Sequence, residues 1–112
     1  MNYGIQFYDE SVQRDIEALP MGLRVRFTLL AERMKVFGSN LGEPHTKAMS
    51  NGLFEMRLKS AEGIARVFYC TLLGRKIVML HSFIKKTDKT PTKELMIAKT
   101  RMNVVKLESD AI

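Results

Sequence analysis

GLFEMRLKSAEGIARVFYCTLLGRKIVMLHSF, residues 52–83, is the stretch that decides the fold. Phe54, Met56 and Leu58 alternate with Glu55 and Arg57, the two-residue period of a half-buried strand. IARVFYC (64–70) and KIVMLHSF (76–83) are rich in β-branched and aromatic residues. AEG (61–63) and LLG (72–74) leave room only for tight turns. Three strands joined by such turns form an antiparallel meander.

Upstream, YGIQFY (3–8) reads as a short strand, and Asp9 or Ser11 can cap the helix that follows. Val12, Ile16 and Leu19 share one helical face before Pro20 and Gly22 break it. A second helix carries Leu23, Phe27, Leu30, Met34 and Phe37 on one stripe and ends at Gly38. The two helices read as a hairpin whose apolar stripes face the core. SNLGEPHTK (39–47) has the composition of a loop. Downstream, Thr90-Pro91 opens a last helix, with Thr as cap and Pro in the first turn. Leu95, Ala98, Met102 and Val105 form its stripe, and LESDAI (107–112) reads as a frayed tail. The expected order is β-α-α-β-β-β-α, an α+β fold in a single domain over residues 1–112, with an N-terminal helical hairpin and a C-terminal helix on a small antiparallel sheet.

The totals agree. A chain of 112 residues with 46% apolar content builds one core, and its composition excludes disorder as the ground state. The single cysteine, Cys70, rules out an intrachain disulfide and sits in an apolar run, where a buried thiol is expected. Neither a signal peptide nor an apolar run long enough for a membrane helix is visible, so a cytoplasmic protein with no membrane partner is expected.

Charge is placed unevenly. Residues 1–40 balance five basic against five acidic side chains, whereas residues 41–112 carry thirteen basic and seven acidic ones. A one-sided basic half suits a polyanion such as nucleic acid; it also suits a merely soluble surface. Gly-rich phosphate loops, Cys-x-x-Cys pairs and His-x-x-x-His spacings are absent, and His45 and His81 are too few for a catalytic zinc set. The remaining candidates are polar residues on the strands. Arg66 lies mid-strand, where burial is costly unless it pairs, for instance with Glu55 on the neighbouring strand, or unless it lines an open face. Tyr69 faces away from Arg66 on a regular strand. His81 falls in phase with Ile77, Met79 and Phe83, and is either a core histidine or an acid/base group. Lys85 and Lys86 follow the strand end, either as a solvated loop or as groups that a rigid scaffold presents.

Three motifs then converge: Gly52, Leu53, Glu55 and Arg57; Arg66, Val67 and Tyr69; and His81, Phe83, Lys85, Lys86, Thr87, Lys89, Thr90 and Pro91. Together they resemble the RelE/HigB superfamily of bacterial toxins, in its phage-related, HigB-type branch. The detailed likeness covers about residues 41–102, and the N-terminal segment fits the same pattern. The resemblance implies the toxin of a type II toxin–antitoxin system, an endoribonuclease that cuts mRNA on the translating ribosome. It implies an antitoxin partner, usually a helix-turn-helix protein from the adjacent gene, and DNA contact only through the toxin–antitoxin complex. It requires no cofactor and no metal. The alternatives are a non-catalytic RNA- or ribosome-binding inhibitor and a phage-derived regulator. By motif position, Arg66 corresponds to the catalytic strand arginine of the family. Lys85 and Lys86 correspond to its basic pair, and Arg57 joins Arg66 in charge stabilisation. Lys89, Lys59 and Tyr69 are the further RNA-binding expectations. Several relatives hold a Tyr or His as acid or base in the C-terminal segment, but no Tyr, His or Cys follows His81 here. The proton-transfer roles then fall to His81, Glu55 or a lysine.

Overall fold

The computed structural model describes residues 2–110. The elements are β1 (Gly4–Phe7), α1 (Glu10–Glu17), α2 (Met21–Phe37), β2 (Thr46–Ala48), β3 (Leu53–Ser60), β4 (Gly63–Leu72), β5 (Lys76–Ile84) and α3 (Thr92–Asp110). One five-stranded sheet runs in the order β1-β5-β4-β3-β2. The meander β3-β4-β5 is antiparallel, as its sequence requires, and β1 joins its edge parallel to β5. The α+β order is as read from the sequence, with one addition. Thr46–Ala48, its first two residues expected in a loop, pairs with Phe54–Met56 as β2 because Thr46 is buried against the sheet rather than solvated.

The sheet separates two cores. On one face, α1 and α2 cover Met56, Leu58, Ala65, Val67, Tyr69, Ile77 and Met79. On the other, α3 covers Leu53, Phe68, Cys70, Val78 and Leu80, using Ala98 and Met102 with Leu95 and Val105 beside them. Asp9 caps α1 by accepting the Val12 N–H at 3.0 Å. No side chain of its own segment caps α2; Glu62, from the β3–β4 turn, accepts the Gly22 N–H instead. A Cβ on Gly22 would lie 2.6 Å from that carboxylate, so only glycine lets the turn approach. Gly38 terminates α2 at φ 96°, as its place in the sequence predicts.

Three local expectations change. Phe37 is exposed, and Ala31 takes its place on the buried stripe of α2. The segment 107–110 continues α3 rather than fraying, while residues 111 and 112 lie outside the described residues. Thr90 does not cap α3: the helix starts at Thr92, the Pro91 carbonyl accepts the N–H groups of Glu94 and Leu95, and the Thr90 hydroxyl donates to Glu55 Oε2 at 3.4 Å.

The fourth difference governs the site. Phe68 pairs with His81 but Tyr69 pairs with Met79, so Leu80 is an extra residue in β5, a β-bulge. His81 is therefore out of phase with Ile77 and Met79. They face α1 and α2, whereas His81 and Phe83 share the face of Arg66 and Phe68. Arg101 of α3 holds the bulge by donating to the Leu80 carbonyl at 2.8 Å, while its guanidinium lies 5.1 Å from the centre of the Tyr8 ring.

Candidate nucleic-acid site

Register brings the motif residues together in two rows across three strands. Arg57 (β3), Arg66 (β4) and Phe83 (β5) form one row; Glu55, Phe68 and His81 form the next. All six lie on the α3 face. The first turn of α3 closes over the second row, and the Arg57–Arg66–Phe83 row stays open beyond its end.

Glu55 is the pivot. Its carboxylate is 4% exposed, and Oε1 accepts from Arg57 Nε at 3.2 Å. Arg66 Nε stands 3.6 Å from the same oxygen, within Coulombic reach but past hydrogen-bond length, and it is buried with no hydrogen-bond partner. Arg66 is 12% exposed and Arg57 31%. Burial lowers the Arg66 pKa, Glu55 opposes that shift, and neighbouring Arg57 adds to it; the guanidinium nevertheless stays charged. The ion pair expected between Arg66 and Glu55 is thus present, but it leaves a buried donor unspent. Arg57 also reaches Glu43 at 3.4 Å. Arg26, Pro44, His45, Arg57, Lys59, Ile64 and Arg66 line a cleft of about 390 Å³, a cationic trough suited to a phosphate.

At the other side of the row, His81 Nε2 lies 3.0 Å from Glu94 Oε2, both side chains largely buried. Protonated at Nε2, the ring donates to Glu94 and keeps Nδ1 as its second functional atom. Phe83 stacks at 5.8 Å on Phe68 and at 6.2 Å on His81. It is only half-buried and pairs across the ladder with Arg66, an aromatic ring beside a cation, the combination that single-stranded nucleic acid uses. A second groove, about 230 Å³, runs past Phe83, Lys86, Thr87, Pro91, Lys93 and Glu94. Lys86 and Lys89 are exposed in the segment leading to α3; Lys85 is half-buried, and its N–H extends the sheet by donating to the Ile64 carbonyl.

The fold thus assembles Glu55, Arg57, Arg66 and His81 on one face, with Lys59 and Lys86 in the two flanking grooves. It separates Tyr69 from them. Tyr69 is fully buried on the α1–α2 face, stacks on Phe54 at 5.3 Å and donates its hydroxyl to the Ser39 carbonyl. Burial drives its pKa well above the ordinary tyrosine value. It is a core residue that RNA cannot reach, because β4 keeps the regular alternation and the bulge lies in β5. Cys70 is a buried thiol as expected, its pKa pushed up to about 11 by burial. Sequence reading missed Glu94, Arg101 and the platform role of Phe83. Glu94 sits one turn inside the predicted helix, where an acid is favourable for the helix dipole alone, so nothing local marks it as a partner of His81. Among the described residues, no cluster of three or more His, Cys, Asp or Glu side chains could hold a metal ion.

The profile of the family described as Phage derived protein Gp49-like (DUF891) matches residues 14–103. The chain belongs to the Gp49-like family. Among solved structures, a chain of the archaeal RelE–RelB complex from Pyrococcus horikoshii OT3 is similar, at 17% identity and a TM-score of 0.55. The likeness covers 75% of this chain and 96% of that one, and at this identity it shows the fold. No curated protein matches the chain. The fold shared with that RelE–RelB chain agrees with the resemblance that the three motifs carry. None of its described helices is long and apolar enough to cross a membrane.

Proposed function

We propose that this Gp49-like protein is the toxin of a toxin–antitoxin pair and cuts mRNA on the ribosome. The observation that carries the reading is the juxtaposition, on one sheet face, of Arg57 and Arg66 in the open row with Glu55 and His81 in the next row under the first turn of α3. RNA cleavage by its own 2′-hydroxyl needs a base for that hydroxyl, cations for the phosphorane and a proton for the departing 5′-oxygen. Arg66, whose Nε has no hydrogen-bond partner, takes a phosphate oxygen, and Arg57 takes a second. His81, held by Glu94, exchanges the proton with one reacting oxygen. Glu55, released from the guanidinium groups as they turn to phosphate, accepts the other. Phe83 stacks a base, and Lys59, Lys85, Lys86 and Lys89 bind flanking phosphates. The 2′-oxygen bonds to phosphorus as the 5′-oxygen leaves, giving a 2′,3′-cyclic phosphate and a 5′-hydroxyl without a metal ion.

The likeness to a RelE–RelB complex supports an antitoxin partner for this chain. The reading makes that partner a small helix-turn-helix protein from the adjacent gene, the route by which the complex would contact DNA, and sets the pair in the cytoplasm.

A second reading, a ribosome-binding inhibitor that does not cut, is favoured by one feature: Glu55 is engaged by guanidinium groups and His81 by Glu94, so neither is a free base at rest. Inducing the protein and mapping new 5′ ends on cellular mRNA separates the two. Cleavage gives new ends within codons as growth stops; arrested growth with intact mRNA supports the inhibitor and sinks the nuclease.

A further inference from the structure

Helix α2 has two apolar faces. Leu23, Phe27, Leu30, Ala31 and Met34 are buried against the sheet. On the opposite side Met21, Val25, Leu29 and Val36 are each more than half exposed. At 100° per residue these four fall within an arc of about 80°, so they form one line along a helix about 25 Å long. Arg24 and Lys35 border the line on one side, and Arg26 and Arg33 on the other, while Glu32, the one acid of the helix, falls within the arc between Leu29 and Val36. Lys35 reaches that acid at 2.9 Å. An exposed apolar stripe edged by charge marks an interaction surface, and here the edges have one sign.

The geometry points to an amphipathic partner helix that lays an apolar stripe along Met21, Val25, Leu29 and Val36 and sets Asp or Glu side chains against the basic borders. Its source is the partner protein of the proposed function, on which this inference rests. A second copy of this chain fits poorly, since stripe-to-stripe packing brings two basic borders together with only Glu32 from each to offset them. The stripe lies on the sheet face opposite Arg66 and His81, and of its borders Arg26 alone also lines the trough, so the partner touches the trough at that edge while its bulk keeps the chain out of the ribosome.

The test uses the full chain and the purified product of the adjacent gene. Isothermal titration compares the wild-type chain, Val25→Glu and Leu29→Glu, with circular dichroism confirming that both variants fold. The inference expects affinity to fall on the order of 100-fold for each variant, and Arg33→Glu to weaken binding less and flatten its salt dependence. In cells, Leu29→Glu then still arrests growth but escapes neutralisation. Equal affinity of wild type and Leu29→Glu overturns the surface and leaves the toxin reading intact. No binding by the wild-type chain removes the partner from that reading and this inference with it. A wild-type dimer in sedimentation that Leu29→Glu dissolves, pelleting with anionic vesicles that Leu29→Glu abolishes, or loss of growth arrest in Leu29→Glu assigns the stripe to another occupant and also overturns it.

Discussion

The two faces of the sheet are made from alternate residues of the same strands, yet they have opposite characters. On β4, Ala65, Val67 and Tyr69 point into a closed apolar core under α1 and α2. Arg66, Phe68 and Cys70, one residue out of step, point toward α3, which covers Phe68 and Cys70 but not Arg66. The difference comes from coverage: two helices span one face, while one helix entering from the His81 end leaves the far row of the other uncovered. A nearly buried Arg66 beside a partly exposed Arg57 is tolerated only there, where Glu55 balances the charge and water or a ligand can complete it.

If that contrast is functional, substitutions on the two faces should separate activity from stability. Arg66→Ala should lower RNA cutting by roughly 100- to 1000-fold, the scale for losing one charge-stabilising donor set, while the protein still folds and binds its partner. Single-turnover cleavage and a thermal melt read both, and a fully active variant would break the contrast. Lys86→Ala should abolish growth arrest in the same way, with the fold retained.

Glu55→Gln should act on both measures. It leaves Arg66 and Arg57 without their buried counter-charge, which should cost about 3 kcal/mol of stability by denaturant titration. Activity that survives this change would limit Glu55 to orienting the arginines. Arg101→Leu removes the donor from the bulge carbonyl and should cost about 1 kcal/mol, with a partial loss of activity as His81 shifts. On the closed face, Tyr69→Phe loses one hydrogen bond, should cost about 1 kcal/mol, and should leave cutting unchanged.

Much of this was legible in the sequence and some was not, for physical reasons. Alternation in 52–83, the Asp9 cap and the Gly38 stop read directly because each depends on neighbours in the chain. The Arg66–Glu55 pair was legible because residues on adjacent antiparallel strands meet when their turn is short. The phase of His81 was not, since a bulge at Leu80 is stabilised by Arg101, 21 residues away. Thr90 likewise read as a cap, but a buried carboxylate on β3 draws its hydroxyl away. Tyr69 sits in a motif with Arg66, and motif membership says nothing of which face a residue takes; the alternation does.

An effect of similar size, with no loss of cutting expected, lies at the start of α1. Asp9 caps α1, and its carboxylate pKa is lowered by the Ser11 hydroxyl and the Val12 N–H. Its folded value is below its unfolded value, so its contribution is complete above the unfolded value and is lost as pH falls through the folded one. Asp9→Ala should therefore cost about 1 kcal/mol near neutrality, and the gap from wild type should close in acid.

The most direct measurement is the chemistry of the cut ends on ribosome-bound mRNA, with wild-type protein and Arg66→Ala side by side. The account predicts 2′,3′-cyclic phosphate and 5′-hydroxyl termini from the wild type and their near disappearance in the variant. Intact mRNA with both proteins, or equal cutting by both, would contradict it.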